Sequence, residues 1–296
     1  MKILVTGGSA FIGASIAESL NDKNQVSAPT SKELDVTESA AVRHYLKDNR
    51  FDLVIHCANH HVHPAIKTGR EPDLQLKNNL KMYFNIASCS ELFGNLIYFG
   101  SGAEFNRDRW GLKMKEDFFD NSIPNDQYGF SKYIMNKHCR LSEKIYNLRL
   151  FGTFGEKDDW RYRFIPNLCA KAVLGQDLII KQNAIFNFLY IEDMINILKR
   201  FMENPPKSGD YNVCSDNNED MELVKIAEIV KEKSGHDLQI IIREDGISTK
   251  YSGDNTKLRE TFPDITFTPI GKSIDNVYRT FLKNPDKFKP SEFLIS

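Results

Sequence analysis

The sequence predicts an α/β fold, a doubly wound parallel sheet with a smaller C-terminal α/β lobe, and three observations carry that expectation. Short apolar runs alternate with longer amphipathic ones through the first half of the chain. A glycine turn, Thr6-Gly7-Gly8-Ser9-Ala10-Phe11-Ile12-Gly13, follows the first apolar run directly. Past about residue 155 the rhythm becomes irregular, as it does where a differently built lobe begins.

Taken in order, Lys2–Thr6 reads as a buried strand, Phe11–Asn21 as a helix and Gln25–Ala28 as a second strand. Thr37 is placed to cap a helix over Glu38–Asn49. The run DLVIHC, Asp52–Cys57, is the next strand. Leu74–Phe93 has apolar residues near helical spacing, and Asn95–Phe99 is strand again. Tyr128–Lys144 reads as a helix and Ile145–Phe151 as a strand. Strand and helix alternating in this way build parallel strands with helices on both faces. Beyond them come a helix over Phe164–Leu174, a short strand at Leu178–Ile180, helices near Ile191–Met202 and Met221–Ser234, and a strand at Leu238–Ile242. Asn204–Gly209, with PPKSG, is a loop. The expected division is a dinucleotide-type domain over residues 1–155 and a smaller lobe over 156–296, with elements around 185–215 returning to the main domain. A cleft between such parts is the default ligand site.

Bulk properties narrow the class. A chain of 296 residues exceeds one ordinary domain and can bury a sizeable core. Its 41% hydrophobic and 27% charged residues suit a soluble globular protein. The formal net charge of -1 gives no pull toward nucleic acid or an anionic membrane, so neither is an expected partner. Cys57, Cys89, Cys139, Cys169 and Cys214 are odd in number and widely spaced, which argues against a disulfide scaffold and against a zinc site. No run of about 18 apolar residues and no leader ahead of MKILVTGG are visible, and a cytoplasmic location is expected.

In the glycine turn, Gly7 permits the sharp bend and Gly13 lets the helix pack closely on the sheet. Amide groups at the helix start, with the helix dipole, can then hold a pyrophosphate. Ala10 stands where the middle glycine of such turns is usual, and one methyl group is tolerable there. Gly7, Ala10, Phe11, Ile12 and Gly13 are therefore expected cofactor contacts. After the second strand the chain reads Ala28-Pro29-Thr30-Ser31-Lys32, with no carboxylate before Glu33. An acid there would bind a ribose 2′-OH. Hydroxyls and a lysine suit a 2′-phosphate better, so NADP is the expected cofactor and NAD the alternative, with Thr30, Ser31 and Lys32 as contacts.

The chemistry falls to Ser101, after the strand Leu96–Phe99, and to Tyr128 and Lys132 in YGFSK. Four residues apart on a helix, Tyr128 and Lys132 project from one face. A carbonyl reduction needs a proton donor, and a free phenol with a pKa of about 10 ionises poorly at neutral pH. A nearby ammonium favours the phenolate, the lysine can also hold the nicotinamide ribose, and Ser101 would polarise the substrate oxygen.

In order along the chain stand TGGSAFIG, Ala58–Asn59 after DLVIHC, Asn79 on a helix, Ser101, then YGFSK. This set resembles the extended short-chain dehydrogenase/reductase family, in its NAD-dependent epimerase/dehydratase branch acting on sugar nucleotides. YFGSGAEF looks like the family's serine-bearing strand end, and LRLFGTFG like the strand closing the nicotinamide pocket. FNFLYIEDM resembles FxYVxD, and DNTKLRE resembles the signature DxSKxxx. The resemblance covers nearly the whole chain. It implies a Rossmann-type sheet and a bound NAD or NADP, with Asp35 and Val36 by the adenine and Ala58, Asn59 and Asn79 along the dinucleotide. Gly102, Glu104, Asn167 and Phe188 are the expected substrate contacts. It also implies a homodimer through the two helices represented by Leu74–Phe93 and Tyr128–Lys144.

Within that branch the missing groups are informative. The 4,6-dehydratases carry an aspartate and a glutamate directly after the serine position, where this chain has Gly102 and Ala103. Enzymes of the GDP-fucose synthase type have a cysteine at Ala103 and a histidine at Lys157 to move protons. Hydride transfer with the Tyr–Ser pair remains, on a sugar-nucleotide substrate. A reductase of a 4-keto-6-deoxy sugar nucleotide is the first expectation, a 4-epimerase with tightly bound NAD the second, and a non-catalytic dinucleotide-binding sensor a third. Phe186 stands where an arginine often meets the nucleotide phosphates, leaving Arg161, Arg163 or Lys171 for that task. His60, His61 and His63 have the wrong spacing for a helical zinc pair and read as a polar loop, so no metal is expected.

Overall fold

The structure, a computed structural model, describes residues 1–62, 71–216 and 220–294. The chain runs through β1 (Lys2–Thr6), α1 (Phe11–Leu20), β2 (Gln25–Ser27), α2 (Ser39–Asn49), β3 (Phe51–His56) and α3 (Gln75–Ala87). Next come β4 (Phe93–Ser101), α4 (Gln127–Cys139), β5 (Ile145–Leu150), β6 (Thr153–Phe154), α5 (Phe164–Val173), β7 (Leu178–Phe186) and β8 (Leu189–Tyr190). It finishes with α6 (Ile191–Glu203), β9 (Gly209–Val213), β10 (Met221–Glu222), α7 (Leu223–Ser234), β11 (Ile240–Tyr251), α8 (Thr256–Thr261) and α9 (Ile270–Leu282). Two compact units result. The first comprises Met1–Arg109, Glu116–Leu150 and Lys199–Asn212; the second comprises Trp110–Lys115, Phe151–Leu198 and Val213–Ser296.

The first unit holds a six-stranded sheet in the order β2-β1-β3-β4-β5-β9. The pairs β1–β2, β1–β3, β3–β4 and β4–β5 are all parallel. From β1 the chain moves outward to β2, then crosses back to the other side of β1 for β3. The C-terminal ends of β1 and β3 therefore flank the point where strand order reverses, which is where ligands bind in open α/β sheets. Strands buried on both faces read as continuous apolar runs, which is why β1 and β3 were legible. Leu4, Val54, Leu96 and Ile145 from the strands pack with Val42, Leu46, Met82, Tyr83 and Ile86 from the helices.

Several boundaries differ from expectation. The helix expected to reach Phe93 ends at Ala87, because Phe93 pairs beside Phe51 as the first residue of β4. The helix expected to reach Lys144 ends at Cys139, and Arg140 turns to meet Asp210 and the Glu116 carbonyl. Thr37 caps nothing: its hydroxyl donates to Asp35 at 2.7 Å, and α2 starts after Glu38 without a side-chain cap.

In the second unit β7 is the central strand of a three-stranded sheet, parallel to β11 and antiparallel to β10. A two-stranded parallel sheet joins β6 and β8. Trp160 is flanked by Phe288 and Phe293 near the C-terminus. Among the described residues no helix is long and apolar enough to cross a membrane.

Candidate active site

Gly7 is where the backbone requires glycine. Its φ is +70°, and a Cβ there would lie 2.7 Å from the Ala58 amide nitrogen. β1 and β3 thus close on each other directly beyond their last residues. Thr6 Oγ1 pairs with His56 Nδ1 at 2.8 Å and accepts from the Ala58 amide at 3.3 Å, tying the two strand ends together. Burial first, and Lys132 second, hold His56 neutral by lowering its pKa to about 3. A Cβ on Gly13 would meet the Gly7 carbonyl at 2.3 Å, so α1 packs tightly over the turn. α1 follows Ala10 with no side-chain cap, which leaves amides of its first turn, around Phe11 and Ile12, for an anion.

Ala58 is half-buried, and Asn79 of α3 is buried. Asn79 Oδ1 accepts from the His60 amide at 2.7 Å, while its side-chain nitrogen has no hydrogen-bond partner among the described residues. Asn59 is half-buried beside Ala58. His60 is occupied by the Glu71 carbonyl and Asn78, and His63 lies outside the described residues. The loop after β2 carries Thr30, Ser31 and Lys32, all exposed. Glu33 folds back on that loop, its Oε2 accepting from the Thr30 amide and hydroxyl at 2.7 and 2.9 Å, and these bonds hold its carboxyl below the usual range. Asp35, expected by the adenine, accepts at Oδ1 from the Thr37 amide and hydroxyl, while the Val36 side chain faces the core.

β4 ends at Ser101, and α4 carries Tyr128 and Lys132. Asp126 starts α4 by accepting from the Gly129 amide at 2.9 Å. A Cβ on Gly129 would stand 2.7 Å from the Ala103 carbonyl, so the helix lies directly against the turn Gly102–Phe105 that follows Ser101. Lys132 Nζ donates to the Phe99 carbonyl at 2.8 Å, two residues before Ser101, and sits 5.9 Å from the Tyr128 ring centre. Burial lowers Lys132 to about 8, with Glu104 and Cys57 opposing that fall. The structure therefore gathers serine, tyrosine and lysine at the C-terminal end of β4.

Gly102 is buried in the same turn. Glu104, expected at the substrate, is fully buried instead, paired with Arg149 at 2.9 Å and accepting from Asn147 and the Ser101 amide. A carboxylate so enclosed cannot touch a ligand. Asn167 and Phe188 belong to the second unit. The Asn167 amide donates to the carbonyls of Trp160 and Arg161, both at 3.0 Å, and serves the local chain rather than open space. Phe188 walls a cavity of about 170 Å³ with Phe154, Phe164, Phe186 and Arg163. Arg161 is held by Asp159 and Lys171 is buried over Phe293, whereas Arg163, itself paired with Asp158 at 3.3 Å, lines this cavity.

A parallel sheet with a glycine turn at its reversal point and a Ser–Tyr–Lys set one strand along defines the Rossmann-type architecture of the extended short-chain dehydrogenases/reductases. A sequence profile of the NAD dependent epimerase/dehydratase family matches residues 3–214, and the chain belongs to that family of sugar-nucleotide-modifying enzymes. The ADP-L-glycero-D-manno-heptose-6-epimerase of Brachyspira hyodysenteriae is 26% identical over 92% of this chain and 95% of its own. In fold the chain is similar to a GDP-L-fucose synthetase from Naegleria fowleri bound to NADP, with a TM-score of 0.85 at 19% identity over 96% of this chain and 93% of that one. It is also similar to the GDP-mannoheptose C4 reductase MlghC from Campylobacter jejuni with NADP bound, with a TM-score of 0.80 at 18% identity over 95% and 98%.

Proposed function

We propose that the chain is an NADP-dependent reductase of a 4-keto-6-deoxy sugar nucleotide. The observation that carries this reading is the gathering of Ser101, Tyr128 and Lys132 at one strand end, where the next two positions are Gly102 and Ala103, buried and without a proton to move. The residues present suit a dinucleotide. The uncapped start of α1 meets the need of a pyrophosphate, and the buried, unpartnered side-chain nitrogen of Asn79 meets that of a further acceptor. The turn Gly7–Gly13, Ala58 and Asn79 would hold it, with Lys32 and the neighbouring hydroxyls toward a 2′-phosphate, since Glu33 is engaged by Thr30. When bound, the nicotinamide supplies the hydride.

Tyr128 donates the proton that neutralises the new alkoxide oxygen. The Lys132 ammonium favours the phenolate that this leaves. Ser101 Oγ already accepts from the Ala103 amide at 3.2 Å, so its hydrogen is the part that can bind the substrate oxygen. The aromatic cavity walled by Phe186 and Phe188 suits a planar nucleotide base, with Arg163 toward the phosphates. A homodimer through α3 and α4 fits this reading, with Phe84 exposed on α3.

The test is oxidation of NADPH by GDP-, UDP-, CDP- and dTDP-linked 4-keto-6-deoxy hexoses. Turnover with one of them, lowered about a hundredfold or more in Tyr128→Phe while NADPH binding persists, is the expected result. Tight dinucleotide binding without turnover of any carbonyl compound overturns it. NAD that survives dialysis in fresh protein points instead to 4-epimerisation.

A further inference from the structure

Glu104 is an unusual group to find behind a reacting serine. Neither it nor Arg149 has any exposed side-chain surface. Arg149 Nε donates to Oε2 at 2.9 Å, Asn147 Nδ2 reaches both carboxylate oxygens at 3.1 Å, and the Ser101 amide donates to Oε1 at 3.1 Å. All of these contacts are donors, the arrangement that suits an ionised carboxylate. Beyond Glu104, Arg149 gives its other nitrogens to Asp210 at 2.6 Å and Asn212 at 2.9 Å, and Arg140, just past α4, binds the same Asp210. The backbone is shaped around the group: a Cβ on Gly100 would lie 2.2 Å from Glu104 Oε1. Removing such ions from water costs several kcal/mol each, and apolar residues of similar volume often serve packing as well. Packing alone does not explain the charge.

Resting on the assignment of Ser101, Tyr128 and Lys132 as the reacting set, we propose that Glu104 is a positioning residue that fixes the turn bearing Ser101 and keeps the ammonium of Lys132 charged beside Tyr128. The carboxylate, held by Arg149, anchors the Ser101 amide, and the Ser101 side chain closes the same turn by accepting from Ala103. Lys132 makes its own hydrogen bond to the Phe99 carbonyl of β4. The other groups facing Lys132 are Tyr128 on its own helix and, from the end of β3, His56 and Cys57. Burial keeps His56 neutral and pushes the Cys57 thiol up, so at neutral pH neither carries charge. Burial pushes the Glu104 carboxyl up, and the Arg149 guanidinium, the Ser101 amide and the Asn147 side chain oppose that rise, so Glu104 supplies the anion of this set. It opposes the fall that burial imposes on Lys132.

Glu104→Gln keeps an acceptor for the Ser101 amide and removes the charge. In apoprotein labelled with 13C at lysine Cε, the resonance lost in Lys132→Arg reports the titration of Lys132. The expected result is a midpoint about one pH unit or more below wild type. The alkaline limb of the kcat profile should move down with it, while KM for NADPH stays within about threefold. An unmoved midpoint in folded Glu104→Gln overturns the proposal. If that variant does not fold, Glu104→Gln combined with Arg149→Met removes both charges together, and the same midpoint decides. Tyr128→Phe separates the two claims. Full turnover in Tyr128→Phe removes the reacting set itself, whereas a dead Tyr128→Phe beside an unshifted Glu104→Gln removes only the positioning role.

Discussion

At Lys132 catalysis and stability pull in opposite directions. Burial lowers its pKa from 10.5 to about 8, so the native state holds the proton less firmly than the unfolded chain does. Between those two values the unfolded chain binds more protons, and stability rises with pH across that window. Below the lower value both states are protonated and the native state carries the full penalty. Lys132→Met is therefore expected to stabilise the fold at neutral pH by on the order of 2 kcal/mol, with the gain shrinking as pH approaches 10.5, and to abolish turnover. Urea midpoints at neutral and alkaline pH check the first part and NADPH oxidation the second. The residues of this site were legible in very different degrees. Tyr128 and Lys132 announce themselves because one helical turn separates them. Glu104 did not, because its partners Arg149 and Asn147 lie far along the chain, and only the parallel alignment of β4 with β5 brings them to Glu104.

Among the elements, α4 has a narrow tolerance, since Gly129 lets it rest on the turn after Ser101. A methyl at that position would stand 2.7 Å from the Ala103 carbonyl and 2.8 Å from Asp126 Oδ2, so the helix must back away. Gly129→Ala is expected to lower kcat about tenfold or more while destabilising the fold by only about 1–3 kcal/mol. Comparing kcat with the thermal midpoint checks this, and wild-type kcat in the variant would show that the contact does not place Tyr128. Strands buried on both faces, such as β1, β3 and β5, were readable as apolar runs. β9 was not, because Asp210 and Asn212 interrupt its apolar pattern; both are buried polar partners of Arg149, and locally they look like loop residues. The ends of α3 and α4 are hard to read because apolar residues continue past α3 into β4, while past α4 the segment Arg140-Leu141-Ser142-Glu143-Lys144 holds no glycine or proline to mark the stop.

For the molecule as a whole, the acid limit of stability follows from the same buried chemistry. His56 must stay neutral: it is buried at the end of β3 and paired with Thr6, and Lys132 adds to the cost of charging it. Its pKa falls from 6.5 to about 3 on folding, so between those values the unfolded chain takes up a proton that the native state refuses. Stability is therefore lost as pH drops through this window. His138, lowered by burial beside Tyr83, acts in the same direction. Asp210 behaves differently. Despite burial, its paired arginines hold its carboxyl well below the usual range, so its contribution starts to fade only near pH 3.8, as the unfolded carboxyl protonates. The loss above that point thus belongs mainly to histidine. Urea denaturation followed by circular dichroism from pH 7 to pH 4 is expected to show a fall of about 2–4 kcal/mol. In His56→Gln, which keeps a polar group for Thr6 but cannot take up a proton, most of that slope should disappear. An equal slope in the variant would place the acid sensitivity elsewhere in the chain.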